Sequence, residues 1–370
     1  MIAALAAAAL LSAGQSSRID AIVTSVMQES GIPGLSLGVG RNGSTLYLRG
    51  YGVRDVARRR PADAFTIYAA GSIAKQFTAA LVLQDVARGR LALDRGDPPI
   101  ESLLWQITGD RWEYRNENYV ALGDLLERTD GAAYCTLLTR RILLPLRLLS
   151  TSCGTPYPAW NFAVSQVPPR RIEPAAGGLW SNAPDLLRWL DDLRLGYVVT
   201  PELFAAMTRS GRLSDGTPTN YGFGFFTGVW YGYPVAFHVG YVNGYSCQDT
   251  LSLSDGLELA FLSNADHVDL TPLAKSVLAI ADPPRDKNSY AVPNAAPENE
   301  NGRITAALTA KLHVAAYAAY GELQGLDFIE RTIEGMTTID RYRARFERAV
   351  LSVTVRYGPD DAIQSVSVFP

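Results

Sequence analysis

The apolar positions of this chain change rhythm several times, and each change marks an element. Leu35-Ser36-Leu37-Gly38-Val39 alternates, Asn42-Gly43 supplies a turn, and Thr45-Leu46-Tyr47-Leu48 runs back. Alternation on both sides of Asn-Gly predicts a β-hairpin. Before it, Ile19, Ile22, Val23 and Val26 recur at helical spacing, predicting a helix over Ile19–Ser30 that Ile32-Pro33 stops. From Ser72 to Arg88 the apolar residues go nearly all the way round, and Gly89 ends the run. A helix without a polar face belongs in the middle of a domain. Further helices are expected over Asn118–Arg128 and after Ser181, where Leu186, Leu187, Trp189 and Leu190 share a face.

From Asn220 the period returns to two. Tyr221–Trp230 and Val235–Val239 read as strands, and Gln248–Leu253 and Glu258–Leu262 as a hairpin about Ser254-Asp255-Gly256. Strands at both ends and helices between them give an α+β class: an antiparallel sheet flanked by helices, with a helical subdomain inserted. No Gly-rich loop follows the first strand, as a nucleotide-binding parallel sheet would require. Asp282–Gly302 is rich in Pro, Asn, Asp and Glu and reads as a linker, drawn at 286–302. The remaining stretch, 303–370, is expected to form a small α+β unit. It has a helix pattern over Ile304–Gly321 and a hairpin of Leu351–Tyr357 with Ala362–Phe369. There are no internal repeats.

Ile2–Ala13 is a continuous run of Ile, Ala and Leu with one Ser, followed by polar Gln15, Ser16, Ser17 and Arg18. With small Ser12 and Gly14 near its end, it reads as a secretory signal over residues 1–14, although no Lys or Arg precedes it. A short buried helix is the other reading. No cysteine follows the run to carry a lipid. The expected destination is therefore secreted or periplasmic, with no membrane span once the signal is removed.

Composition narrows the chemistry. The 370 residues are 47% hydrophobic and 19% charged, with a net charge of -3, which is ordinary for a soluble globular chain. With no basic stripe, nucleic acid is not an expected partner. Cys135, Cys153 and Cys247 lack metal-site spacing, and His267 and His313 have no ligand partners nearby in sequence, so no metal is expected. A Cys135–Cys153 disulfide fits an oxidising compartment, while three unpaired buried thiols are the simpler reading. Of the 34 Lys plus Arg residues only Lys75, Lys275, Lys287 and Lys311 are lysines. Arginine cannot be deprotonated to act as a base, whereas a desolvated lysine can, so the lone Lys75 stands out.

Three short motifs carry candidate chemistry. In Ser72-Ile73-Ala74-Lys75 the spacing of three puts hydroxyl and amine on one helix face. A serine opening the helix lies where backbone N–H groups and the helix dipole favour negative charge. In Tyr114-Arg115-Asn116 a phenol near a cation can relay protons, and the amide can hold both the lysine and a substrate carbonyl. A Tyr packed on a helix start with an Asn N-cap explains the same residues. In His238-Val239-Gly240 the glycine would let a substrate approach the strand edge. The next amide, that of Tyr241, would join that of Ser72 as an oxyanion hole.

In this order and context the motifs resemble the serine β-lactamase-like superfamily, in the branch of class C β-lactamases, penicillin-binding proteins, esterases and D-aminopeptidases. The likeness extends over residues 18–285. It includes Ile32-Pro33-Gly34, Arg49-Gly50-Tyr51-Gly52-Val53, Thr66, Asn118-Tyr119-Val120-Ala121-Leu122-Gly123, Pro145-Leu146, Ala176-Gly177-Gly178-Leu179-Trp180-Ser181 with Asp185-Leu186, Tyr221-Gly222-Phe223-Gly224 and Gly244. The resemblance implies a β-lactamase/transpeptidase-like fold and no cofactor. It implies Ser72 as acylated nucleophile, Lys75 as its base and Tyr114 in proton transfer. Asn116, His238, Gly240 and Tyr241 would bind substrate, with His238-Val239-Gly240 replacing a Lys-Thr-Gly.

Two departures stand out: the stretch between Lys75 and Tyr114 is short for this superfamily, and Arg115 is bulky. The expected activity is a serine hydrolase acting on esters, amides or D-amino-acid peptides, with β-lactams as acylating agents. Its partner is a small-molecule or peptide substrate. The alternative is a catalytically degenerate binding or assembly protein on the same fold. The sequence leaves the oligomeric state open.

Overall fold

The computed structural model describes residues 10–157, 161–166, 173–282, 323–334, 337–346, 350–357 and 363–369. Its centre is a seven-stranded antiparallel sheet. Across it the strands run Arg60–Pro61, Ser44–Asp55, Gly34–Arg41, Leu257–Ser263, Tyr245–Ser252, Tyr233–Val242 and Phe226–Trp230. The predicted hairpin is present, with Asn42 and Gly43 both at positive φ as its turn requires. It pairs edgewise with strands from the far end of the sequence, Leu37 opposite Phe261.

The strand Leu257–Ser263 is buried along its whole length, and its period of two divides the core. Leu257, Leu259 and Phe261 face a layer containing Ile19, Val23, Leu273 and Val277, from the helices Ala13–Glu29 and Thr271–Ala281. Ala260 and Leu262 face the opposite layer, formed by the helices Ala74–Ala87, Asn116–Asp130 and Ala183–Arg194. This sandwich of sheet between helical layers is the α+β arrangement expected from the sequence.

The helix expected over Ile19–Ser30 starts earlier, at Ala13, because Ser12 and Gln15 form a reciprocal capping box. The strand expected over Tyr221–Trp230 begins only at Phe226. Ahead of it Gly222 donates to the Phe225 carbonyl, so Tyr221–Phe225 is a turn. The expected set of three free thiols is corrected: Cys135 and Cys153 are bridged, and Cys247 alone is free and buried. The helix Tyr134–Leu138 and the short strand Ser152–Cys153 bring the two α-carbons to 5.5 Å, within disulfide reach.

The described residues form two compact units. The sheet and helices above belong to the larger. The second contains a four-stranded antiparallel meander of Leu323–Glu334, Thr337–Phe346, Val350–Tyr357 and Ile363–Phe369. Tyr342, Ala344, Leu351, Val353 and Val355 are buried in it. Its last two strands are those read from the sequence. The first two were not expected, and the anticipated helix over 304–321 and linker over 286–302 lie outside the described residues. Among the described residues no helix is long and apolar enough to cross a membrane.

Candidate active site

A turn of 3-10 helix, Gly71–Ile73, carries Ser72 into the helix Ala74–Ala87. That helix is anchored by its apolar residues and by Trp189. The indole stacks on Phe77 at 3.8 Å between ring centroids and donates from Nε1 to Gln76 Oε1 at 2.7 Å. Such a pair adds ~0.5–1.5 kcal/mol beyond its buried area. One turn in from Ser72, Lys75 is completely buried.

The Lys75 ammonium has three acceptors: Ser72 Oγ at 3.1 Å, Asn116 Oδ1 at 2.8 Å and the Ala176 carbonyl at 2.7 Å. It also lies 4.8 Å from the centre of the Tyr114 ring and 5.7 Å from that of Tyr119. No carboxylate is paired with it among the described salt bridges. Desolvation therefore dominates and pulls its pKa down to about 7, with Glu117 opposing weakly.

Tyr114 follows the short hairpin Ile107–Thr108/Arg111–Trp112. Gln106 Oε1 fixes this segment by accepting from the Arg115 backbone N–H at 3.0 Å and from Asn118 Nδ2 at 2.9 Å. The short Lys75–Tyr114 stretch thus still delivers the phenol beside the lysine. The Tyr114 hydroxyl is buried without a well-formed hydrogen bond. Burial raises its pKa, and Ser72 is the one side chain pulling it the other way. The Arg115 side chain points to the exterior, 3.9 Å from Glu117.

His238 is fully buried in the strand Tyr233–Val242. Its ring lies among Tyr114, Tyr221 and Phe226, with centroids 6.0, 5.9 and 5.1 Å away. Burial first, and the Lys75 charge second, push its pKa down to about 3. A neutral imidazole there cannot act as a cationic anchor for a carboxylate.

Gly240 has a different reason for being glycine from the one the sequence suggested. A β-carbon there would lie 2.0 Å from the Ala70 carbonyl oxygen and 3.4 Å from the Ser72 nitrogen. The strand presses directly on the nucleophile turn. Conversely, a β-carbon on Gly71 would lie 3.1 Å from the Tyr241 nitrogen, so the amides of Ser72 and Tyr241 belong to adjoining backbone segments. The Tyr241 ring stacks flat on His267, 5.7 Å between centroids.

The structure thus brings Ser72, Lys75, Tyr114, Asn116 and His238 together, with Gly240 and Tyr241 against the same turn. Sequence reasoning missed the Ala176 carbonyl as a lysine partner, although its Gly-Gly-Leu-Trp-Ser surroundings had been noted. It also missed Gln106 and the aromatic wall of Trp112, Tyr221 and Phe226. A second buried assembly went unseen: Asp249 Oδ1 accepts from Gln76 Nε2 at 2.8 Å and from the His238 backbone N–H at 3.0 Å. This ties the nucleophile helix to the His238 strand. Among the described residues no group of three or more His, Cys, Asp or Glu could hold a metal ion.

The beta-lactamase family profile matches residues 19–96 and 101–282, and the chain is a member of that family. It is 22% identical over 329 residues to a D-aminopeptidase of Gluconobacter oxydans (strain 621H), covering 72% of this chain and 62% of that protein. It is 33% identical over 125 residues to the esterase EstB of Burkholderia gladioli, covering 34% and 31%. The chain therefore spans less than two thirds of these relatives, both of which are hydrolases by name. The structure of the octameric penicillin-binding protein homologue from Pyrococcus abyssi aligns over 96% of this chain and 98% of that one. The TM-score is 0.67 at 18% identity, a likeness of fold.

Proposed function

We propose that the chain is a serine hydrolase that forms an acyl-enzyme on Ser72. The observation carrying this reading is the fully buried Lys75 Nζ, 3.1 Å from Ser72 Oγ and without a partner carboxylate. A desolvated amine with a pKa about 7 is partly neutral at working pH and in reach of the serine proton. Lys75 takes that proton as Oγ bonds to the substrate carbonyl carbon. The carbonyl oxygen becomes an oxyanion held by the Ser72 and Tyr241 amides. The bond to the leaving group breaks, and the proton passes from Lys75, through Tyr114, to the departing oxygen or nitrogen. Water then releases the acid, and the serine regains its proton.

Esters, amides and D-amino-acid peptides are the proposed substrates. The relatives' names support this, and the neutral His238 favours acyl groups recognised without a carboxylate. The Lys75 amine donates to both Asn116 Oδ1 and the Ala176 main-chain carbonyl, which supports a working site over a degenerate one. The Cys135–Cys153 bridge supports export behind a signal at residues 1–14, since such bonds persist in oxidising compartments. Residues 18–285 would form the hydrolase domain, followed by the linker and the small unit.

The test is intact-protein mass spectrometry after incubation with a fluorophosphonate and, separately, a penicillin. A stoichiometric adduct that is lost in Ser72→Ala is expected. Absence of any adduct on folded native protein sinks the reading and transfers its weight to a binding protein.

A further inference from the structure

Apart from the Ser72 site, and sharing no residue with it, a cavity of about 460 Å³ opens between the turn of the first hairpin and the helix Ala183–Arg194. Glu258 lines it from the strand Leu257–Ser263. Its side chain lies over Gly40, the opposite residue in the strand pairing, with Oε2 2.7 Å from the place a β-carbon would occupy. Glu258 is 1% exposed, and its Oε1 has no hydrogen-bond partner.

Arg147, Arg188, Asp185, Asp191 and Asp192 also line the cavity, and all of these but Arg147 are committed to partners, Asp191 to Arg194 from beyond the lining. Arg194 Nη2 holds Asp191 Oδ1 at 2.6 Å, and Arg188 Nε holds Asp192 Oδ2 at 3.4 Å. Asp185 Oδ2 accepts from the Ser150 backbone N–H and the Thr151 hydroxyl, each at 2.8 Å. Glu258 Oε1 is the carboxylate oxygen left without a partner, although Asp191 and the Asn42 backbone N–H reach the same side chain. A buried carboxylate must either keep its proton or meet a positive charge. Burial, aided by nearby Asp191, pushes the Glu258 carboxyl up to about 8. The Arg194 charge and the Asn42 backbone N–H pull the other way without restoring an ordinary carboxylate.

We propose that this cavity binds a small organic cation whose charged group carries N–H donors, a primary ammonium or a guanidinium, with Glu258 as its counter-ion. A hydrated divalent metal fits poorly. Among the described residues no group of three or more His, Cys, Asp or Glu could hold a metal ion, and guanidiniums stand beside the acids. Leu187 and Pro184 give the lining an apolar side, suited to a short alkyl chain. Because it shares no residue with the Ser72 site, this is a separate binding site, independent of whether Ser72 is acylated.

The experiment is isothermal titration of the full-length protein at low salt and mildly alkaline pH with butylammonium, methylguanidinium and tetramethylammonium chlorides in turn. Saturable binding of either of the first two, with none for tetramethylammonium, is expected. Glu258→Gln should weaken binding by at least ~tenfold, the loss of one charge-assisted hydrogen bond. Its fluorophosphonate labelling at Ser72 should be unchanged. Thr45→Trp, which narrows the cavity rim without touching the acid, should also block binding and serves if Glu258→Gln fails to fold. No saturable heat with the native protein overturns the proposal. So does equal affinity in Glu258→Gln, which would mean that Glu258 merely shares a proton with Asp191.

Discussion

The Tyr221 hydroxyl lies 3.1 Å from His238 Nε2, while His238 Nδ1 faces the Val239 carbonyl at 2.7 Å. A carbonyl only accepts, so Nδ1 carries the proton and Nε2 accepts from the phenol. The hydrogen bonds set the tautomer, while burial and then the Lys75 charge hold the imidazole neutral.

His238 should therefore contribute no inflection to the acylation rate near its ordinary pKa of about 6.5. Its folded pKa, about 3, is depressed. The stability it contributes is fully present above the unfolded pKa and is lost as pH falls toward 3. Nuclear magnetic resonance titration of the ring carbons checks this. A His238 signal moving near neutrality would contradict it.

Lys75 gives the opposite expectation for rate. Acylation should rise with pH through about 7 as the amine loses its proton. Lys75→Arg should lower it by ~10²–10⁴-fold, since a guanidinium cannot accept the serine proton. The folded pKa lies below the unfolded one, so the native state binds fewer protons between about 7 and the model-compound value of 10.5. Stability from this group rises with pH across that window and is lowest below it. Chemical denaturation of native and Lys75→Met protein across the window measures the slope, which the variant should lack.

Gly240→Ala should damage folding and catalysis together. The new methyl would meet the Ala70 oxygen at 2.0 Å, forcing the strand off the nucleophile turn. Overpacking of this kind costs ~1–3 kcal/mol, and the shift separates the Tyr241 amide from Ser72. A lower Tm with slower fluorophosphonate labelling is expected. An unchanged labelling rate would show that the amide does not serve the oxyanion.

The cysteines allow a direct count. In unreduced native protein a chromogenic thiol reagent should find no reactive group, because Cys247 is buried with its thiol pushed up to about 12. In denaturant one thiol should appear, and three after reduction. Cys135→Ser should cost about 3 kcal/mol, the contribution expected of a short closed loop.

Asp249 offers a milder substitution. Its Oδ2 is buried without a partner, and burial raises its carboxyl to about 7. Asp249→Asn keeps the Oδ1 acceptor for Gln76 and for the His238 N–H and removes the cost of a buried charge. At pH above that value it should be at least as stable as native in a thermal melt, whereas Asp249→Ala should be less stable by ~1–3 kcal/mol.

How much of this was legible depended on sequence distance. The serine–lysine pair lies within one helical turn, so its juxtaposition on one face could be read from spacing, while its proposed roles came from the family resemblance. The hairpin at Asn42-Gly43 is encoded equally locally. The aromatic wall was not legible, because Trp112, Tyr221 and Phe226 meet only after the sheet has formed. The same holds for Glu258, whose strand reads simply as buried. The strand Leu323–Glu334 escaped notice for a different reason. Register shifts at Leu323/Gly325 and Phe328/Glu330 interrupt the alternation from which a strand is recognised. The disulfide needed the 5.5 Å approach of two segments that no spacing rule supplies.

The Ala176 carbonyl that holds Lys75 is a main-chain atom, and no exchange of side chain can delete it. Asn116 is open to point mutation; its companion acceptor is not. Adjusting the working pH of this amine through that contact is therefore a matter of loop architecture. Insertions, deletions or prolines around Pro174–Gly177 would move the carbonyl, whereas substitutions at position 176 itself would leave it in place. Variation in that short helix is where an engineer, or natural divergence, would find the dial.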